Sequence, residues 1–185
     1  ARTKFIHPAW GWQHCERNYQ VALRLAKGDG LAVDRDVLFA ASFLHDMAAF
    51  PPYAKKGVEH GDRAAQTSEA VLRAAGFPMA KFAAVQAAER GHMYYSNAGS
   101  LPEAVVLHAD SLDFLGAIGA ARMLSLTGEK ASDFSGALGT LRGFERDIPP
   151  RLLTKTARHI GAQRAAELQR LLDELTSETF SGRAQ

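Results

Sequence analysis

The 185-residue chain has one cysteine, Cys15, which excludes an intrachain disulfide and a zinc site built from several cysteines. That scarcity suits a reducing compartment, and a cytoplasmic location is the expectation. No apolar run approaches the roughly 20 residues that a membrane span needs. No signal-peptide pattern is visible at the start; the first residue is Ala rather than Met, which leaves a processed terminus open. Nor is one sign of charge in excess. Lys and Arg number 22 against 20 Asp and Glu, and that near balance argues against a dedicated nucleic-acid binder. Alternating β-branched runs are scarce, and repeats, low-complexity blocks and linkers are missing, so a single domain over 1–185 is expected.

What is present reads as helix. Hydrophobic residues make up 46% of the chain, enough for a substantial core. Ala, Leu, Arg, Glu and Gln dominate, all of them tolerant of helix. Punctuation predicts a first helix over about 11–27, stopped by Gly28-Asp29-Gly30. A second follows Asp34 and runs to about 49, where Pro51-Pro52 ends it. A third covers about 59–75, a fourth 79–90, and a fifth 102–124 with Pro102 in its first turn. Two C-terminal helices, about 130–146 and 150–177, look like packing elements, followed by a polar tail over 177–185 expected to fray. The fold class is therefore all-α: a five-helix core over about 11–125 plus the C-terminal helices.

The most informative residues are His45 and Asp46, which end the apolar run Leu38-Phe-Ala-Ala-Ser-Phe-Leu-His-Asp-Met47. Burying such a pair is costly unless something satisfies it, and a divalent metal would. Neighbouring helix positions diverge by about 100°, so one ion can use both only with help from other helices. His14 on the first helix and Asp110 on the fifth are the natural remaining ligands. Two imidazoles with two carboxylates suit Mn²⁺, Fe²⁺, Co²⁺, Ni²⁺ or Zn²⁺, with Mg²⁺ also open. One ion is the expectation, and two are open. His60 and His92 could ligate a second ion, contact a phosphate or shuttle a proton. Glu59 is a candidate acid or base.

Taken together, His14, Leu44-His45-Asp46 and Leu107-His108-Ala109-Asp110-Ser-Leu-Asp113 resemble the HD-domain metal-dependent phosphohydrolase superfamily over about residues 11–125. The resemblance implies an all-α HD-type bundle in which His14, His45, Asp46 and Asp110 hold the metal. Glu59-His60 followed by His92 is similar to the subset with extra histidines, some of which hold two metals. The tyrosine-proline signature of the cyclic-dinucleotide branch is not evident in Met93-Tyr-Tyr-Ser-Asn97. The resemblance implies hydrolysis of a phosphoester or phosphoanhydride; a small nucleotide is the favoured substrate because the chain has no obvious domain for recognising a polymer. The expected partner is a small-molecule phosphate, not a nucleic-acid polymer or a membrane; the oligomeric state stays open, a homodimer included.

Asp46, Glu59, His60 and His92 are the candidate catalytic residues. Arg17, Lys56 and Arg63 are the candidate phosphate contacts, with Lys55 beside them. Asp113, one turn past Asp110, is balanced between facing the site and pairing with an arginine. His7, His108 and His159 read as structural or solvated, and Cys15 as buried. Tyr94 and Tyr95 could stack on a base, although packing with a hydroxyl hydrogen bond is the plainer reading. Two other functions fit the same residues: a di-iron oxygenase of the HD type, and a non-catalytic nucleotide-binding module stabilised by metal.

Overall fold

Glycine, proline and capping residues set the helix ends in the computed structural model, which describes residues 6–129 and 131–179. Helix α1 spans Trp12–Asp29 and closes on Gly30, whose φ of 65° is left-handed and favours glycine. Helix α2 spans Arg35–Leu44, and the Asp34 side chain accepts from the amides of Asp36 and Val37 at its start. Helix α3 spans His60–Ala74 with Glu59 as its cap. A 3-10 turn, Met79–Lys81, leads into α4, Phe82–Gly91. Helix α5, Pro102–Leu107, has its proline at the first turn. Helices α6 (Gly116–Gly128), α7 (Phe134–Asp147) and α8 (Lys155–Glu178) follow. Among the described residues there is no strand, and no single helix is long and apolar enough to cross a membrane. Of the tail expected to fray, residues 180–185 lie outside the described residues.

The fourth helix and the two C-terminal helices begin three to five residues later than expected, and two larger differences have a physical reason. The second helix was expected to run to about 49, but α2 stops at Leu44 and the chain tightens into a 3-10 turn, Met47–Ala49. Phe50 precedes Pro51 and is extended, at φ −117° and ψ 147°, as the residue before a proline prefers. The helix therefore unwinds ahead of it, and Asp46 sits at φ −95° and ψ 1°, outside the helical region. The expected fifth helix is three pieces: α5, a 3-10 segment His108–Phe114, and α6. Gly116 adopts φ 67°, which breaks the helix. A Cβ at Gly119 would fall 2.1 Å from the Phe114 carbonyl oxygen, so only glycine permits that turn.

Contacts divide the chain into a unit ending at Asp110 and a unit beginning at Ser111. The boundary falls inside the 3-10 segment rather than in a linker. In the first unit α1 packs on α2 and α5, and α4 packs on α2, α3 and α5. One cluster of its core brings Val37, Leu44, Met47, Leu72, Val85 and Leu107 together with seven alanines. Each large side chain contributes about 1.5–3 kcal/mol through burial, while the alanines let helix backbones approach closely. That closeness allows short side chains from different helices to meet. In the second unit α6, α7 and α8 pack on one another around Leu138, Leu141, Leu168 and Leu172. Here Arg122 pairs with Asp113 at 3.1 Å and covers the Phe114 ring. Asp113 thus takes the arginine pairing, one of the two uses open to it from sequence.

Candidate metal centre

The expected site residues Arg17, His14, His45, Asp46, Lys56, Glu59, His60, Arg63, His92 and Asp110 all fall in the first unit. His14 lies on the buried stripe of α1, with Asn18, Ala22 and Leu25. His45 and Asp46 follow the last residue of α2, Glu59 and His60 open α3, His92 follows α4, and Asp110 lies in the 3-10 segment after α5. The break after Leu44 solves the divergence of adjacent helix positions. Both side chains of the pair turn to one point, with His45 Nε2 3.4 Å from Asp46 Oδ2.

Asp46 is the hinge of the cluster. Its Oδ2 lies 3.4 Å from His14 Nε2, and its Oδ1 lies 3.4 Å from His60 Nε2 and 3.9 Å from His92 Nε2. Asp110 Oδ1 closes the first side, 3.1 Å from His14 Nε2 and 3.7 Å from His45 Nε2. An octahedral ion with bonds of about 2.1 Å holds adjacent donors about 3 Å apart, close to these separations. Three overlapping sets have all their donor atoms within 4.8 Å of one another: His14, His45 and Asp46; His45, His92 and Asp110; Asp46, His60 and His92.

Hydrogen bonds fix the ring orientations. His45 Nδ1 donates to the Ser42 carbonyl at 2.9 Å, and His92 Nδ1 to the Glu89 carbonyl at 2.6 Å. His60 Nδ1 donates to Glu59 Oε1 at 2.7 Å. These acceptors hold the proton on Nδ1, so in each neutral ring the Nε2 lone pair faces the centre. Two such lone pairs, on His60 and His92, stand 3.1 Å apart. Without a proton or a cation between them they repel. Buried His45 Nε2 and Asp110 Oδ1 have no hydrogen-bond partner, an expensive condition that a shared cation relieves. The donor set therefore fits a divalent metal.

The electrostatics point the same way. Burial disfavours charge on His45, but Asp46 and Asp110 outweigh it and raise its pKa. His60 is raised likewise, with Asp46 overcoming burial. Burial pushes Asp46 up, yet His45, His14 and His60 together hold it well below the ordinary carboxylate range. His92 is different: burial, then His45, depress it to about 4, so its ring is neutral.

Other residues fall around this cluster in distinct ways. Both Glu59 oxygens are engaged, Oε1 with His60 and Oε2 as the α3 cap, accepting from Asp62 N at 3.0 Å. Arg63 Nε donates to the Tyr53 carbonyl at 3.0 Å, tying the loop after Asp46 to α3. Lys55 and Lys56 are exposed in that loop, and Arg17 is half-buried on α1. His108 is buried with Nδ1 2.9 Å from the Gly91 carbonyl, and His7 Nδ1 accepts from the amides of Ala9 and Trp10; both are structural, as expected. Cys15 is buried and forms no disulfide.

Two residues escaped the sequence reading. Asn18 Nδ2 lies 3.1 Å from His14 Nε2, and its spacing of four from His14 was an available signal. Glu89 is fully buried, with Oε2 accepting from Ser68 Oγ at 2.9 Å; nothing local distinguishes it from a surface glutamate.

A family model, the HD domain, matches residues 11–115. No curated protein matches the chain. Among solved structures, Bacillus subtilis YpgQ in complex with ADP superposes with a TM-score of 0.71 at 18% identity, covering 92% of this chain and 90% of that one. A Lactobacillus plantarum protein gives 0.73 at 22% identity, with 95% and 89% covered. A predicted HD superfamily hydrolase from an uncultured Thermotogales bacterium gives 0.66 at 24% identity, with 96% and 86% covered. At these identities the likeness is one of fold.

Proposed function

The chain belongs to the HD-domain family, and from its cluster of donors we propose that it is a metal-dependent phosphohydrolase acting on a small phosphoester or phosphoanhydride, a nucleotide in the first instance. The observation that carries this reading is the convergence of His14, His45, Asp46, His60, His92 and Asp110, with His45 Nε2 and Asp110 Oδ1 buried and facing only the other donors of the cluster. The ADP complex of YpgQ supports a nucleotide, and the Thermotogales relative, a predicted HD superfamily hydrolase, supports hydrolysis.

His14, His45, Asp46 and Asp110 would hold a divalent ion such as Mn²⁺, Co²⁺, Ni²⁺, Fe²⁺ or Zn²⁺, or Mg²⁺. When bound, that ion supplies an acidified water and polarises a phosphoryl oxygen. The chain's own residues do the rest. Asp46, held anionic by its histidines, takes up positive charge from both sides of the cluster. His60, oriented by Glu59, presents Nε2 toward Asp46 and holds a proton that a leaving oxygen can take. Glu59 thereby acts through His60. Arg17 and Lys56 supply positive charge for the phosphate, and Arg63 steadies the loop bearing Lys56.

The 3.1 Å approach of His60 and His92 favours a second reading, in which Asp46, His60 and His92 hold a second ion. A di-iron oxygenase would need that ion to be iron; a binding module would need neither turnover nor a redox metal. Metal analysis of the purified protein, then assays of phosphate and pyrophosphate release over a nucleotide and phosphoester panel with Mn²⁺, Co²⁺, Ni²⁺ and Mg²⁺ added separately, tests all three. No turnover by metal-loaded protein across the panel refutes the phosphohydrolase reading.

A further inference from the structure

The cluster has one open side. His14, His45, His92 and Asp110 are buried, none more than 4% exposed. The side chains of Asp46, His60 and Glu59 are 13%, 28% and 35% exposed, in that order. The route from the donors to solvent therefore runs along the His60–Glu59 edge. Whatever organic group a bound phosphate carries must leave the centre there.

An aromatic ring stands at that edge. Tyr95 is 54% exposed, yet its Oη lies 3.5 Å from Glu59 Oε1, the oxygen that orients His60. The Tyr95 ring meets Tyr94 edge-on with centroids 5.3 Å apart. The loop carrying both is held in place. Ser96 N donates to the Met93 carbonyl at 2.8 Å, and Gly99 N to Asn97 Oδ1 at 2.9 Å. Gly91 lies so near that a Cβ there would be 2.8 Å from Ala98 Cα, packing the loop against α4. A half-exposed tyrosine on a braced loop gains little by folding alone, and its amphipathic ring suits a planar partner.

We propose that Tyr95 is the specificity-determining residue of this centre, its ring stacking on the base of a nucleotide whose phosphates reach Asp46 and His60. This rests on the phosphohydrolase reading for the position of the phosphates and adds to it the part of the substrate that no donor residue selects. Stacking of a base on an aromatic side chain contributes enough for roughly a ten-fold change in affinity.

Titration calorimetry of the Mn²⁺-loaded protein tests it with two unhydrolysable probes, α,β-methylene adenosine diphosphate and methylenediphosphonate. Wild type binds the adenosine probe roughly ten-fold more tightly. Tyr95→Ala abolishes that preference and leaves methylenediphosphonate binding within about two-fold, while Tyr95→Phe keeps the preference. The proposal is overturned if Tyr95→Ala retains the preference or weakens both probes equally. It is also overturned if Tyr95→Phe behaves as Tyr95→Ala, which would make the hydroxyl tie to Glu59 the only function. Wild type binding both probes equally, or neither, overturns it too. Preferential binding without turnover on the nucleotide panel would instead refute the hydrolase reading and leave this one standing.

Discussion

Glu89 offers the sharpest test of the electrostatics behind the metal centre. Its side chain is fully buried between α3 and α4, with one oxygen accepting from Ser68 and Oε1 without a partner. Burial pushes its pKa from 4.5 up to about 8. At pH 7 the folded protein therefore holds this proton, whereas the unfolded chain has released it. A raised carboxyl pKa favours folding fully below the unfolded value of 4.5, and that contribution is lost as pH climbs through the folded value. Each pH unit inside the window costs about 1.4 kcal/mol. Between pH 5 and pH 8 the loss is about 3 kcal/mol. Glu89→Gln removes the titration and keeps the shape. The variant carries a constant offset of about 1 kcal/mol from its changed hydrogen bond, but its stability no longer falls over this range. Urea denaturation of metal-free wild type and variant at half-unit pH steps reads the difference directly. The gap should move by about 3 kcal/mol in favour of glutamine from pH 5 to pH 8. Parallel curves would mean that Glu89 is ionised in the fold and that its burial does not raise its pKa.

Other outcomes follow from the same geometry. Asp46→Ala removes the carboxylate that spans both sides of the cluster, so metal content after dialysis and turnover should both vanish; retention of metal refutes its assignment as a ligand. Saturating Mn²⁺ at about 100 times its Kd should stabilise wild type by about 2.7 kcal/mol, a Tm rise of roughly 5–10 °C in a chain of this size. Chelator reverses the rise, and Asp110→Asn should lose most of it; an equal rise in that variant would argue against Asp110. Gly61→Ala places a Cβ 2.8 Å from the Glu89 carbonyl and 3.0 Å from His92 Cε1, so α3 must withdraw from α4. A loss of about 1–3 kcal/mol in denaturant unfolding is expected, and unchanged stability would show that the approach of His60 to His92 is not tight.

Much of this protein was legible because the relevant forces are local. Asp34 before α2 and Pro102 at the start of α5 announce helix starts through backbone amides that must be satisfied or are missing. Gly30 announces a helix end by its left-handed backbone. The candidate donors were legible too, since a histidine and an aspartate on an apolar run demand a partner. What misled was also local in origin. The apolar pattern through Met47 looks helical, yet α2 ends at Leu44, Asp46 leaves the helical region, and Phe50 ahead of Pro51 is extended. A one-residue glycine break at 116 likewise divides a run whose composition reads as one helix.

By itself, then, the sequence determined that the chain is helical, where most helices begin and end, and which side chains could ligate a metal. Periodicity, capping and ligand chemistry act over a few residues and need no partner across the fold. Only tertiary structure decided how those side chains are used. It set Asp46 with one oxygen toward His14 and His45 and the other toward His60 and His92. It also gave Glu59 to His60, Arg63 to the Tyr53 carbonyl and Asp113 to Arg122, and it buried Glu89, whose pKa that burial pushes up to about 8. Those outcomes depend on how closely the alanine-rich faces of α2, α3 and α4 approach, and on which groups that approach deprives of water; spacing along the chain encodes neither.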